Sequence, residues 1–596
     1  MKCRWVVAPA QPLLVAKLAA ELNLSPLLAQ CLLNRGFSEP DAILRFLEPR
    51  LKHLADPFLL PNMAAAVDRL FTARERSEAL VIFGDYDVDG VTSTALLTQV
   101  LRELGWQVDY YLPHRMEEGY GLSQDGVENC LAKFPTKLLL AVDCGSTAVA
   151  SIAWLKERGV DVIVLDHHQV STPAPDAVAL VNPQLSRVPE VLGLESAQLD
   201  AGLKTQDSRL KTRDYRELCS VGLAFKLAHA LVKRGRELGL AAARDFDVRT
   251  FLDLVALGTI ADLVPLTDEN RILVTAGLVR LNKTHRPGLI ALKKVAAINK
   301  PIGVQEVGFQ LGPRLNAAGR LENAENALHL LIEDNATTAE RIAHELDTHN
   351  RERQNIERGI ADTVIGAVRA RFNAETDYVI VEGQLLWHIG VVGIVASRAL
   401  REFYRPTLIL GGDGEHWRGS GRSIEGFDLA SALRECDDLL LRHGGHAMAA
   451  GISIHPDKVD AFRSRLNEIA RRTLKPDQLQ PTLQLDSEVT LGELTVERLR
   501  ELERLQPVGQ GNRGVQFLSR TLAHQRPPQR MGKQQQHAKL WVTDGTATRE
   551  AVLWGAAKSP LPEGKFDIAF APQLNEFNGR TTVQLRLLDW RPCPKS

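Results

Sequence analysis

Short, nearly uninterrupted apolar runs constrain this chain more than any other feature. Ala79-Leu-Val-Ile-Phe83, Lys137-Leu-Leu-Leu-Ala-Val142 and Val160-Asp-Val-Ile-Val-Leu165 are of this kind, and Val108-Asp-Tyr-Tyr-Leu112 adds a weaker fourth. A strand that is apolar on both sides must be covered on both faces. The helical stretches 92–104 and 152–158 between the runs supply that cover. The pattern predicts βαβ units and a parallel α/β sheet.

The first run hands over to Gly84-Asp-Tyr-Asp-Val-Asp-Gly90, with carboxylates at 85, 87 and 89. In open parallel sheets ligands bind beyond the carboxyl ends of the strands, so these acids face a site. Carboxylates so close repel one another and titrate upward unless cations hold them, and hard oxygen ligands select Mg²⁺, Mn²⁺ or Ca²⁺. An EF-hand is excluded, because Leu96 stands where its loop requires a bidentate Glu. The later runs end in Asp143-Cys-Gly145 and Asp166-His167-His168, and a further apolar stretch ends at Asp262. Six or seven oxygen and nitrogen ligands without thiolate fit a two-metal site with Asp143 as the bridge. One imidazole of the pair can ligate while its neighbour faces a phosphate as electrophile or proton donor.

Polyanion contacts are read from patches, because 72 Lys+Arg against 73 Asp+Glu exclude a globally basic coat. Trp417-Arg418-Gly-Ser420-Gly-Arg422-Ser423 suits a phosphate through guanidinium and hydroxyl contacts, as a Gly-rich loop whose backbone can approach a ligand. Arg115, and Arg314 and Asn316 in Gly312-Pro-Arg-Leu-Asn-Ala-Ala-Gly-Arg320, add polar groups near the first domain. Arg526, Arg530 and Lys533 cluster near Trp541, the combination of cations and an aromatic that tracks a single strand. His443-Gly-Gly-His446 is a second Gly-rich turn that reads either as a polyanion contact or as a tight, closely packed turn, and Gly509-Gln-Gly-Asn-Arg-Gly514 only formally matches a dinucleotide loop, since no helix follows it.

The expected organisation is a helical segment over 1–75, an α/β domain over 76–334 and one connecting helix over 335–372. A second α/β domain follows over 373–474, then a small β-barrel of the OB kind over 475–596. Residues 188–214 read as a polar, irregular insertion. The strand signals near 514–520, 538–542, 550–554, 566–570 and 581–588 are short, and Asn578-Gly579 marks a hairpin. Seven scattered cysteines without a C-x-x-C pair, and no apolar run near the ~20 residues of a membrane span, point to a cytoplasmic protein with no membrane.

The order D-x-D-x-D-G, V-D-C-G, D-H-H, A-D-L-V-P-L, S-G-R-S and G-G-H-A resembles the DHH phosphoesterase superfamily, and among its members the single-stranded-DNA-specific exonucleases. The resemblance covers nearly the whole chain and implies a DHH domain, a long connecting helix, a DHHA1 domain and an OB fold. It places ligands for two divalent cations, Mn²⁺ or Mg²⁺, on Asp85, Asp87, Asp89, Asp143, His167 and Asp262, with Asp143 and His168 acting in catalysis. A histidine of some relatives is replaced here by Phe83. His446 would face the scissile region across the cleft between the α/β domains, and Arg115, Arg314, Ser420 and Arg422 would receive a 5′ phosphate. The family's P-F-G-x-G-N-P stretch stands here as Pro507-Val-Gly-Gln-Gly-Asn-Arg513. The implied function is 5′-to-3′ degradation of single-stranded DNA to mononucleotides in recombination and repair. A monomer would act with single-strand-binding protein and a RecQ-type helicase. The rival readings are a DHH-family oligoribonuclease or small-nucleotide phosphatase, and a catalytically dead scaffold.

Overall fold

The computed structural model describes residues 3–115, 117–187, 215–321, 323–412, 416–556 and 560–593, so the insertion read at 188–214 lies outside the described residues. The chain divides into two compact units. One comprises Leu44–Arg351 with Leu505–Arg513; the other comprises Met1–Ile43, Glu352–Arg504 and Gly514–Ser596.

The apolar runs of the first unit form the expected all-parallel sheet. Its order is Val108–Tyr111, Leu80–Gly84, Leu138–Val142, Asp161–Leu165, Ala179–Val181. Leu80–Gly84 and Leu138–Val142 are buried at every position, as strands covered on both faces must be. A large core on one face draws on the helices Val88–Glu103, Ser220–Glu237 and Leu252–Ala261; a smaller one on the other face includes Val127, Cys130, Ile152 and Leu155. The winding direction reverses between Leu80–Gly84 and Leu138–Val142, the switch point at which such sheets bind ligands. The helix expected from 92 already starts at Val88, because Asp87 caps it by accepting the amides of Asp89 (2.9 Å) and Gly90 (3.1 Å). Apolar periodicity begins one turn later, so the polar first turn escaped the pattern.

In the second unit a five-stranded sheet runs in the order Arg442–Gly445, Ala449–Ile454, Trp417–Arg422, Thr407–Gly411, Ile380–Gly383. The stretch read as a loop at 417–423 is therefore the central strand of this sheet over Trp417–Arg422, so its conformation differs from the expectation. Its glycines serve packing: a Cβ on Gly419 would lie 2.2 Å from Leu410 and one on Gly421 2.6 Å from Leu429. Ser420 and Arg422 alternate onto the opposite face. The helix Ala336–Arg371 is continuous over 36 residues, and Ile360, Ala361, Val364 and Val368 near its end pack with Val392, Val395, Ala396 and Ala399.

The barrel closes because Phe517–Met531 pairs with both His537–Thr543 and Phe566–Phe577, completing a ring with Thr548–Leu553 and Arg580–Pro592. Several strands run longer than their apolar signals; Phe517–Met531 continues through Pro527 and Pro528 at a register shift between Arg526 and Gln529, where no ladder amide is needed. Asn578 (φ 48°) and Gly579 (φ 72°) make the expected hairpin turn. The parallel pairing of Arg4–Val7 with Thr482–Leu485 was not foreseen.

Candidate active site

The D-x-D-x-D-G loop leaves the first strand and folds over itself tightly. A Cβ on Gly90 would lie 2.4 Å from the Asp85 carbonyl oxygen, and one on Gly84 2.1 Å from Thr94 Oγ1, so both positions need glycine. From the neighbouring strand Asp143 projects in the left-handed region (φ 64°), which Asp tolerates better than most residues. The third strand end supplies His167 and His168, and Asp262 closes the helix Leu252–Ala261 as its C-cap.

These side chains converge. His167 Nε2 lies 3.5 Å from Asp143 Oδ1, 3.5 Å from Asp262 Oδ2 and 3.9 Å from Asp89 Oδ2. Asp85, Asp87 and Asp143 bring ligand atoms within 4.8 Å of one another, and so do Asp143, His167 and His168. Asp89 is gripped by the start of the helix Ser220–Glu237, whose Ser220 and Val221 amides donate at 2.7 and 2.9 Å. The Ser220 hydroxyl donates to Asp143 Oδ1 at 2.9 Å.

Electrostatics marks the cluster as incomplete without positive charge. Burial, then the charge of Asp87, holds the Asp85 carboxyl well above the usual range. Asp143 is raised by burial and by Asp89, Asp87, Asp85 and Asp262. Burial and Asp87 push Asp89 up to about 7 against its two amide donors, and burial with Asp89 and Asp87 pushes Asp262 up to about 9. Burial, then the charge of His168, pulls His167 down to about 4, which leaves a neutral ligand-grade imidazole. Asp85 Oδ1, Asp262 Oδ2 and His167 Nε2 are buried and have no hydrogen-bond partner. Buried polar atoms are normally satisfied, so hard oxygens and one imidazole nitrogen aimed at a common space fit divalent cations.

His168 differs from its neighbour. Burial pulls it down, but a 2.7 Å hydrogen bond from Nδ1 to Asp166 and that carboxylate's charge raise it to about 9. Asp166 also accepts the amides of Ser146, His167 and His168, and these contacts with His168 hold it below the usual carboxylate range despite its burial. Tyr120 lies 3.3 Å from His168 Nε2. Asp166 as an orienting group, Ser220 and Tyr120 were missed from sequence. Only Asp166 carried a signal, as the acid of the D-H-H triplet.

The remaining candidates fall into distinct settings. Arg115 stacks over Tyr86 at 4.9 Å. Asn316 accepts the Val88 amide at 3.2 Å, bracing the loop, and Arg314 is bonded to Asp347 (2.9 Å) and the Gln310 carbonyl (2.7 Å). In the second unit Arg422 Nη1 donates to Ser420 Oγ at 2.9 Å. A Cβ on Gly393, in the first turn of the helix Val392–Phe403, would lie 2.9 Å from that hydroxyl and 3.1 Å from the guanidinium. Arg418 is exposed on the same strand, and His446 is exposed at the hairpin turn, its amide bonded to the Ala449 carbonyl at 2.8 Å. In the barrel Arg526 lies 3.3 Å over Trp541, Arg530 bonds the Ala556 carbonyl, and Lys533 is exposed.

Comparison with known proteins agrees with this geometry. Residues 79–259 match the DHH family N-terminal domain, 376–472 the DHHA1 domain and 485–589 the RecJ OB domain. The chain is 37% identical over 596 residues to the single-stranded-DNA-specific exonuclease RecJ of Bacillus subtilis (strain 168), an alignment covering 99% of this chain and 71% of that protein. This chain belongs to the RecJ family. RecJ of Thermus thermophilus in complex with Mn²⁺ superposes with a TM-score of 0.81 at 30% identity, covering 100% of this chain and 80% of that one. The Mg²⁺ complex of that RecJ gives a TM-score of 0.75 at 29% identity, covering 100% and 79%. No single helix among the described residues is long and apolar enough to cross a membrane.

Proposed function

We propose that this chain is a metal-dependent exonuclease that degrades single-stranded DNA from its 5′ end to mononucleotides, in recombination and repair in the cytoplasm. The observation that carries the reading is the convergence of Asp85, Asp89, Asp143, Asp262 and His167 at the switch point of the sheet, with three buried ligand atoms left unsatisfied. With Asp87 these residues would hold two divalent cations, Mn²⁺ or Mg²⁺. When bound, such ions supply an activated water and neutralise charge on the phosphate.

The chain's own groups do the rest. Asp143 belongs to two of the three ligand triplets, the third being Asp89, Cys219 and Asp262, and would be shared by the two cations. Ser220 and the amides at the start of its helix fix Asp143 and Asp89 before substrate arrives. Asp166 holds the Nδ1 proton of His168, leaving Nε2 beside the Tyr120 hydroxyl, from where the protonated ring can donate to a phosphate oxygen. Ser420 and Arg422, on the strand Trp417–Arg422 and beside Gly393 in the first turn of the helix Val392–Phe403, combine a hydroxyl and a guanidinium in a setting suited to a terminal phosphate. Arg115, Arg314, Asn316, Arg418 and His446 are assigned to the same substrate by family resemblance. Arg314 must share its guanidinium with Asp347 to serve there. In the barrel, Trp541 with Arg526, Arg530 and Lys533 supports a backbone-tracking groove. The barrel itself counts against a small-nucleotide phosphatase. A monomer acting with single-strand-binding protein and a RecQ-type helicase belongs to this proposal.

The test is digestion of end-labelled single-stranded, duplex and RNA oligomers with Mn²⁺ or Mg²⁺, by the native chain and by Asp143→Ala. Release of mononucleotides from the 5′ end of single strands, abolished by Asp143→Ala with DNA binding retained, is the expected result. Full activity in the variant would overturn the metal assignment.

A further inference from the structure

The segment Leu505–Arg513 lies in sequence just before the barrel strands, yet it is built into the unit that carries the aspartate cluster. Its contacts converge on one turn, the residues that follow Asp262. That turn holds two non-glycine residues in the left-handed region, Leu263 (φ 61°) and Asp268 (φ 45°). Leu263 is also 73% exposed, so its strained backbone is not offset by burial of its side chain. The turn therefore depends on neighbours for its shape. Asn270 accounts for one of them, donating to the Pro265 carbonyl at 3.0 Å.

The others come from 505–513. The Leu266 amide donates to the Gln510 carbonyl at 2.8 Å. Gly509 and Gly511 press on the same residues: a Cβ on Gly509 would lie 2.7 Å from Leu266, and one on Gly511 (φ 70°) 2.9 Å from Pro265. The pressing loop is itself locked. Gly509 and Asn512 exchange amide-to-carbonyl bonds at 2.8 and 3.2 Å, and the buried Asn512 carboxamide donates to the carbonyls of Leu505 and Pro507, both at 2.8 Å. From the other side Arg271, fully buried, donates to the carbonyls of Leu505, Gln506 and Pro507 at 3.0, 2.6 and 3.3 Å, and to that of Phe46 at 2.8 Å.

We infer that Asn512 and its loop 509–512 are positioning elements for Asp262, holding the 262–268 turn so that Asp262 Oδ2 stays aimed at His167 Nε2. This gives the glycines and asparagine of Pro507-Val-Gly-Gln-Gly-Asn512 a packing role. It rests on the proposed ligand role of Asp262.

Mn²⁺ binding to the metal-free full chain is measured by calorimetry for Asn512→Ala, Gly511→Ala and Asp262→Asn, alongside the Mn²⁺ dependence of cleavage and the unfolding temperature without metal. Partners that orient a ligand typically matter 10- to 100-fold in metal affinity, so Asn512→Ala and Gly511→Ala should each weaken Mn²⁺ binding by about tenfold or more. The rate at saturating Mn²⁺ should stay within about twofold, because the ligand itself is intact. Gly511→Ala leaves the Asn512 side chain in place, acts on the contact with Pro265 instead, and carries the test if Asn512→Ala does not fold. Unchanged Mn²⁺ affinity in a folded loop variant, with binding weakened in Asp262→Asn, would overturn this inference alone. Unchanged affinity in Asp262→Asn would instead remove the ligand role on which it stands.

Discussion

Removing metal should make the stability of this protein fall steeply with rising pH, and the site geometry gives the size of the effect. In the metal-free fold Asp262 keeps its proton up to about pH 9, whereas an unfolded aspartate titrates near 3.9. The folded chain thus binds a proton the unfolded chain releases, and stability is lost as pH rises between those values at about 1.4 kcal/mol per pH unit. His167, depressed to about 4, acts in the opposite direction only below its ordinary value of about 6.5, so the window above that is free of it. From pH 6.5 to 8.5 the loss is about 3 kcal/mol for Asp262 alone, whose side chain is 18% exposed. His168 titrates in the same direction, but at 37% exposure solvent screens its interactions, so it is not counted. A loss of that size lowers the unfolding temperature by roughly 5–10 °C. The assay is calorimetric unfolding of chelator-treated protein at pH 6.5 and 8.5, with and without Mn²⁺. Because ligation displaces the proton, Mn²⁺ should raise the unfolding temperature more at 8.5 than at 6.5, and Asp262→Asn should flatten the metal-free slope. A metal-free protein equally stable at both pH values, or an Mn²⁺ effect independent of pH, would refute the reasoning.

Asp166→Asn removes the charge under His168, and cleavage should fall by two or more orders of magnitude and lose activity toward alkaline pH earlier than the native chain; an unchanged pH–rate profile would strip Asp166 of its orienting role. Arg422→Ala should abolish the advantage of a 5′-phosphorylated end in competition cleavage, while a retained preference would move that pocket elsewhere. Neutralising Arg526, Arg530 and Lys533 should lower the salt slope of single-strand binding by about 0.7 for each phosphate no longer neutralised. Lys533→Gln should do so without changing the unfolding temperature, whereas Arg530→Gln, which gives up the Ala556 carbonyl, should lower both.

What was legible in the sequence was whatever a local pattern encodes. The buried runs at 80–84 and 138–142 could only be covered strands, and acids at their ends had to converge at the same edge of a parallel sheet. The long helix was readable from its charge density and spacing. The loop assigned at 417–423 was not, because Gly-Ser-Gly-Arg looks like a flexible turn until Leu408, Leu410 and Leu429 are packed against the bare glycine face. Ser220 had no motif to announce it: a helix start lends its amides to Asp89 from 131 positions away, and only the fold makes them neighbours. The strand Arg4–Val7 escaped for the same reason, since its partner lies hundreds of residues downstream and its four positions carry no alternation strong enough to stand alone.

That distant pairing has a consequence for synthesis. Residues Arg4–Val7 leave the ribosome hundreds of residues before Thr482–Leu485, yet find their hydrogen-bonding partners only when that strand has been made. At ~5–20 residues per second the wait is roughly half a minute to a minute and a half. The stretch Leu44–Arg351 can begin to condense in that interval, although Leu505–Arg513, which completes its unit, is made later still, and Arg4–Val7 waits with its backbone donors unpaired. A nascent chain stalled short of residue 482 should therefore expose residues 4–7 to proteases and holding chaperones, and one carried past residue 485 should not.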